Sequence, residues 1–308
     1  MRFVTVENWP PASGPSAPSS VTSSFDFRPE LEAGNVLFFP TTPFEFPEAE
    51  KEFLRDLKFA GGAVHKNVAY RPAQDRITGI GADEPQLDRL RGVMRDYSRR
   101  VVAFTAQLLP KYAAEWKLDY ASFRPLEEEG RNLPVNKRND LIHTDAFPTR
   151  PTNGDLILRV FTNIHPSKTR NWVVTDPFPS IAETYARDAG LDRIANGGHL
   201  RQSSLRMLKR LGMPVIPRSA YDRFMLQFHE YLKRNREFQE HCPKYSFNFP
   251  PGSTWLTFTD VVPHSVLSGQ HALEQTFIIA RSSLANPAQS PLAVLERLSA
   301  RRLVDASH

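Results

Sequence analysis

His143, Thr144 and Asp145 form a His-x-Asp triplet inside the run LIHTDAF. In an extended strand positions i and i+2 point to one face, so an imidazole and a carboxylate lie side by side and can take adjacent positions on one metal ion. A further histidine, His264, follows in FTDVVPHS, which reads as the first strand of a hairpin whose return strand starts near Leu273. Two histidines and one carboxylate leave three faces of an octahedral ion open, the arrangement that suits nonheme Fe(II) binding a keto acid and dioxygen. Zinc fits less well, because a closed structural site takes four ligands and the one cysteine, Cys242, lies elsewhere. The triplet alone is a weak signal, since the nine histidines of the chain predict about one such spacing by chance. It is the addition of His264 that favours the metal over three hydrogen-bonded strand residues.

Such an oxygenase also needs a cation for the remote carboxylate of its keto acid, with arginine preferred for its planar fork. Arg159 lies in the otherwise apolar strand LILRVF, and Arg281 lies in FIIARSS on the return strand after His264. Asn163 shares the parity of Arg159, and Gln275 that of Arg281, so each is a candidate for a neighbouring hydrogen bond. Either arginine reads equally well as one half of a structural ion pair, and the sequence does not choose between them. Among the other histidines, His271 is expected in an exposed turn, His165 beside the site or in solvent, and His229, His199 and His241 in structural roles; His65 and His308 carry no signal.

These residues need a scaffold. Segments Leu156 to Pro166, Ser253 to Asp260 and Leu273 to Ser283 are rich in β-branched and aromatic residues, the composition of strands. Shorter strands are expected at Val36 to Phe39, Ala63 to Tyr70, Asp140 to Asp145, Asn171 to Thr175 and Tyr245 to Phe249. Eight strands suffice for a barrel or a two-sheet jelly roll. Helical periodicity marks Pro47 to Ala60 and Pro85 to Trp116, where Leu87, Leu90, Met94, Tyr97, Val101, Phe104 and Leu108 make one apolar stripe. A basic helical block from about 180 to 241 separates the strand groups; one helix carries Leu200, Met207, Leu208 and Leu211, and a second carries Tyr221, Phe224, Met225, Phe228 and Leu232 behind a Ser219 cap. The expected organisation is a flexible Pro/Ser-rich segment over 1–24 and one domain over 25–308 with that block inserted.

The chain has 308 residues and a formal charge of +5, proportions of a globular protein without a nucleic-acid signature. The N-terminal sequence lacks the basic start and hydrophobic stretch of an export signal, and one cysteine makes no internal disulfide. A cytoplasmic location is therefore expected, and the oligomeric state stays open.

The stretch RNLPVNKRNDLIHTDAFPTRPTNGDLILRVFTNIHP, with the later VVPHS and EQTFIIARS, resembles the Kdo hydroxylase family. The resemblance runs from about Val36 to Ser283. It implies a mainly β chain with a double-stranded β-helix core (jelly-roll, cupin-like) and a helical insertion. It further implies Fe(II) held by His143, Asp145 and His264, with 2-oxoglutarate and dioxygen as cosubstrates. The implied reaction is hydroxylation at carbon 3 of the sugar acid Kdo in Kdo-lipid A, part of the lipopolysaccharide inner core. The sequence departs from many relatives of the wider superfamily, in which a basic residue lies ten or eleven positions after the distal histidine; here those positions are Glu274 and Gln275. The expected partner is an anionic lipid-linked sugar, met at the inner face of the inner membrane, where Arg201, Arg206, Lys209, Arg210, Arg218, Lys233, Arg234 and Arg236 of the block can meet anionic groups. Rival readings are the same chemistry on another small acid or a nucleic acid, a nonenzymatic cupin-like sugar-binding protein, and a metal-dependent sugar isomerase.

Overall fold

The structure, a computed structural model, describes residues 3–7, 9, 25–57, 67–81, 83–197 and 217–305. Eleven strands among the described residues form two sheets. In chain order they are β1 (Phe3–Thr5), β2 (Val36–Phe39), β3 (Val68–Arg71), β4 (Arg76–Thr78), β5 (Lys117–Arg124), β6 (Leu156–Asn163), β7 (Arg170–Val174), β8 (Tyr245–Phe249), β9 (Thr254–Phe258), β10 (His264–Ser268) and β11 (Ala272–Ile279). The large sheet runs β1-β2-β9-β6-β11-β5-β3-β4, and the small one β10-β7-β8. Facing sheets with β6, β9, β11 and β5 on one side and β7, β8 and β10 on the other make a double-stranded β-helix, as expected.

Period-2 alternation sorts the large sheet into an inner and an outer face. On β6, Leu156, Leu158 and Val160 face outward and pack with Leu90, Met94, Tyr97, Val101 and Phe104 of the helix Glu84–Leu108. That helix is the expected apolar stripe, but it stops at Leu108 rather than Trp116. Pro110 lacks an N–H and restricts Leu109, which adopts φ −130°, ψ 60° before the short helix Pro110–Ala113. Behind the break comes β5, a strand the sequence reading did not expect. The inner face carries Phe161 and Trp255, which pack against Trp172 and Phe249 of the small sheet, with the Phe249 and Trp255 rings 3.9 Å apart.

Three further expectations are corrected. Asp140 to Asp145 is not a strand; it contributes one isolated bridge, at His143 opposite His264. The segments 264–268 and 272–279 are not a hairpin, because β10 belongs to the small sheet and β11 to the large one. The crossing turns on Gly269, at φ +121°, where a Cβ would stand 2.7 Å from the Arg170 side chain, so only glycine fits. Within the segment expected to be flexible, β1 pairs in parallel with β2, so the large sheet recruits a strand ahead of the Pro/Ser-rich run at 10–24, which lies outside the described residues. The expected strand over 63–70 begins at Val68, with 63–66 outside the described residues, as are His65, His199, His308, the helix expected around Leu200 to Leu211, and Arg201, Arg206, Lys209 and Arg210.

Between β7 and β8 stand the helices Phe178–Tyr185, Leu191–Asn196, Ala220–Arg234 and Arg236–His241. Their buried residues, among them Phe178, Phe224, Phe228 and Leu232, share a cluster with Leu292 and Leu295 of the helix Pro291–Ser299, and with Ile142 and Val173 beside the small sheet. Among the described residues, no helix is long and apolar enough to cross a membrane.

Candidate metal centre

The bridge between His143 and His264 is a reciprocal pair of backbone hydrogen bonds, 3.0 and 2.9 Å. Asp145 is tied down next to it by its N–H, which donates to the Thr259 carbonyl at 2.9 Å. The side chains of His143, Asp145 and His264 thereby converge, with ligand-capable atoms all within 4.8 Å of one another. In both imidazoles Nδ1 lies against the carbonyl two residues back, Leu141 O at 2.7 Å and Val262 O at 2.9 Å. Nδ1 must then carry the hydrogen, which leaves each Nε2 a bare lone pair for a metal. The indole of Trp172 stacks on His264 at 4.9 Å, and His229 meets His143 edge to face at 4.8 Å while bonding the Thr144 carbonyl. Two nitrogens and one carboxylate on one side of an ion are the donor set of a nonheme Fe(II) centre.

Protonation states suit that role. Burial lowers both ligand histidines, keeping them neutral. Burial would raise the Asp145 carboxyl, but the Arg159 charge outweighs it and holds the group well below the usual carboxylate range. The Arg159 Nη2 lies 3.2 Å from Asp145 Oδ2, an oxygen with no hydrogen-bond partner of its own. Behind Asp145, a void of about 10 Å³ is lined by Ile157, Tyr221 and Asp260 among others. The Asp260 Oδ1 accepts the Ile157 N–H at 3.1 Å, its Oδ2 has no partner, and burial pushes its carboxyl up to about 7.

Deeper between the sheets lies a network of buried charge. The Arg124 Nε and Nη2 grip Glu274 Oε2 at 2.9 and 2.6 Å, and Arg159 Nη1 reaches the same oxygen at 3.3 Å. Glu128, 6% exposed, faces Arg124, Arg131 and Arg170 at 3.5 to 3.8 Å. Four arginines against Glu128, Glu274 and Asp145 leave one positive charge in excess, room for an anion.

Of the candidates expected for the cosubstrate, only Arg159 stands at the centre. Arg281 begins a turn beyond β11, with its Nε 3.9 Å from Asp155. Gln275 faces the outer helix, accepting from Ser98 Oγ at 2.7 Å and donating to the Asp119 carbonyl. Asn163 shares the inner face but shapes the turn at the far end of β6, donating to Lys168 and Phe249 carbonyls and accepting the His165 N–H. His165 accepts the N–H groups of Ser167 and Lys168, and His271, expected to be exposed, is half-buried between His165 and Phe123. Sequence reasoning missed Arg124, Glu128, Arg170 and the contacts of His229. The signal for Arg124 was Glu274 itself: an acid where a base is usual needs a cation, and β5 supplies it across the register Ser122 to Glu274.

The family model for 3-deoxy-D-manno-oct-2-ulosonic acid (Kdo) hydroxylase matches residues 18–302. Similar solved structures are those of the Kdo hydroxylase KdoO, a non-heme Fe(II) alpha-ketoglutarate-dependent dioxygenase. Its complex with alpha-ketoglutarate and Fe(III) is 34% identical at a TM-score of 0.79, covering 91% of both chains. Its cobalt(II) complex is 35% identical at 0.80, and its complex with succinate and Fe(III) 35% at 0.79, each again over 91% of both chains. No curated protein matches the sequence. With the match spanning nearly the whole sequence and the donor set in place, this chain belongs to the Kdo hydroxylase family.

Proposed function

We propose that the protein hydroxylates carbon 3 of Kdo in Kdo-lipid A, with Fe(II) held by His143 Nε2, Asp145 and His264 Nε2. The observation that carries this is the convergence of three metal-ligating side chains, two with fixed tautomers, at one end of a jelly roll. Bound iron, with 2-oxoglutarate and dioxygen, supplies the oxidising power to replace C–H by C–OH on a carbon that has no leaving group, releasing succinate and carbon dioxide. The chain's own residues hold and orient. The Leu141 and Val262 carbonyls fix the imidazoles, Arg159 keeps Asp145 charged, and Trp172 braces His264. Arg124 and Arg159, bridged by Glu274, receive the remote carboxylate of 2-oxoglutarate, so the cations come from β5 and β6 rather than from β11. The lipid-linked substrate sets the working place at the cytoplasmic face of the inner membrane. The helices between β7 and β8 belong to one folding unit over 25–308, as their shared core with Ile142 and Val173 supports.

The test is an anaerobic titration of apoprotein with Fe(II) and 2-oxoglutarate, followed by turnover on Kdo-lipid A. A visible charge-transfer band that needs both additions and vanishes in His264→Ala, with product heavier by one oxygen, is expected. Absence of the band favours a sugar-binding protein, and a band without turnover on lipid-linked Kdo favours another small acid.

A further inference from the structure

A cavity of about 300 Å³ lies at the ends of β5, β6 and β11, lined by Lys117, Asp119, Arg150, Asp155 and Arg281 with Thr152 at its inner wall. Thr152 also lines the void behind Asp145, so one residue is common to the cavity and to that void. The cavity is large enough for one sugar acid. Its three cations face two carboxylates: Lys117 and Arg281 share Asp155 at 3.6 and 3.9 Å, and Arg150 Nε lies 3.1 Å from Asp119. One positive charge is left over. Burial raises the Asp119 carboxyl, against the pull of Arg150.

Arg150 is built for recognition. Its guanidinium is clamped between two rings, 4.0 Å from the Tyr120 centroid and 4.3 Å from Phe147. A planar cation held on both faces keeps only its edge for a ligand, and the entropy of fixing that edge has been spent on folding. Among the described residues, no acceptor makes a hydrogen bond to its Nη atoms. Phe147 also lies 5.5 Å from the guanidinium of Arg159, which touches Asp145. One aromatic ring therefore separates Arg150 from the arginine of the metal centre.

We infer that this cavity seats the substrate's anionic group and that Arg150 reads the carboxylate of the sugar acid. This rests on the function proposed above. Only one carbon separates carbon 3 of Kdo from its carboxyl carbon, so a carboxylate anchored beside the centre fixes which C–H faces the metal. The phosphates of lipid A are far from the reacting carbon and are not the group read here. Lys117 and Arg281 add long-range attraction, and Asp119 is the charge nearest Arg150, 3.1 Å from its Nε.

The test compares wild type, Arg150→Lys and Arg150→Gln, with Fe(II) and 2-oxoglutarate, on Kdo-lipid A, its dephosphorylated form and its Kdo carboxamide. Arg150→Gln is expected to raise KM for Kdo-lipid A roughly tenfold to a hundredfold, the worth of a charge-assisted bidentate contact. The charge-transfer band should persist, and succinate should form in excess over product. Wild type should lose a similar factor on the carboxamide, and the variant should lose little more. Arg150→Lys should recover part of the loss, which a merely structural clamp would not predict. Unchanged KM in Arg150→Gln, or equal sensitivity of wild type and variant to the carboxamide, overturns the inference while leaving the proposed function standing. Sensitivity to dephosphorylation alone assigns the cavity to phosphate and also overturns it. No wild-type turnover on any of the three overturns the function on which it rests.

Discussion

Arg159 does work at the residue scale that a ligand inventory omits. Its Nη2 is the cation nearest the outer oxygen of Asp145, so removing it lets burial raise the carboxyl and makes metal binding compete with a proton. Arg159→Leu is expected to weaken Fe(II) binding about 10- to 100-fold without 2-oxoglutarate present, read by metal titration; equal affinity would deny it that role. Arg124 differs, since it offsets Glu274 and Glu128. Arg124→Met should raise KM for 2-oxoglutarate and cost about 1–3 kcal/mol of stability, because Glu274 loses its shortest contacts and keeps only Arg159 at 3.3 Å, measurable by urea unfolding. The candidate metal site was legible because His143 and Asp145 stand two apart with His264 beyond them, although residues 140–145 form a single bridge rather than the strand that argued for a shared face. Arg124 was not, because its role depends on which strand lies beside β11, a fact of register rather than of local pattern.

At the scale of elements, the turn between β9 and β10 carries a pH dependence. The folded protein keeps a proton on Asp260 up to about 7, while the unfolded chain gives it up near the ordinary carboxyl value. This contribution to stability is complete in acid, declines by at most ~1.4 kcal/mol per pH unit between those values, and is gone above about 7. Asp260→Asn keeps a carbonyl for the Ile157 N–H and cannot ionise. Its melting temperature relative to wild type should be higher at pH 8 than at pH 5, and a pH-independent difference would count against a protonated Asp260. Strands and the stripe of the long helix could be read because their apolar period is strong. Three elements could not: β1 sits ahead of a Pro/Ser-rich run, β5 follows a helix with few outward apolar residues of its own, and residues 140–145 form a bridge without a ladder. The supposed hairpin failed for a topological reason, since in a jelly roll successive strands cross from one sheet to the other.

Across the whole molecule, the helices after β7 and the helix Pro291–Ser299 close over one apolar cluster that reaches Ile142, the residue before His143. Leu295 is fully buried there. Leu295→Ala should cost about 2–5 kcal/mol and lower one common transition seen by near-ultraviolet dichroism and by activity. Two separate transitions would show the helices to be an independent unit. Such coupling explains how a sequence block recognisable only as basic and helical comes to brace a metal ligand.

Trp172 lies flat against His264 at 4.9 Å and meets Trp255 edge to face at 5.7 Å. Both indoles are buried, and neither Nε1 has a hydrogen-bond partner. Their emission is expected to be blue and to respond to whatever occupies the far side of one imidazole. A paramagnetic ion such as cobalt(II) should quench that light on arrival, so the protein reports the filling of its own centre without a label.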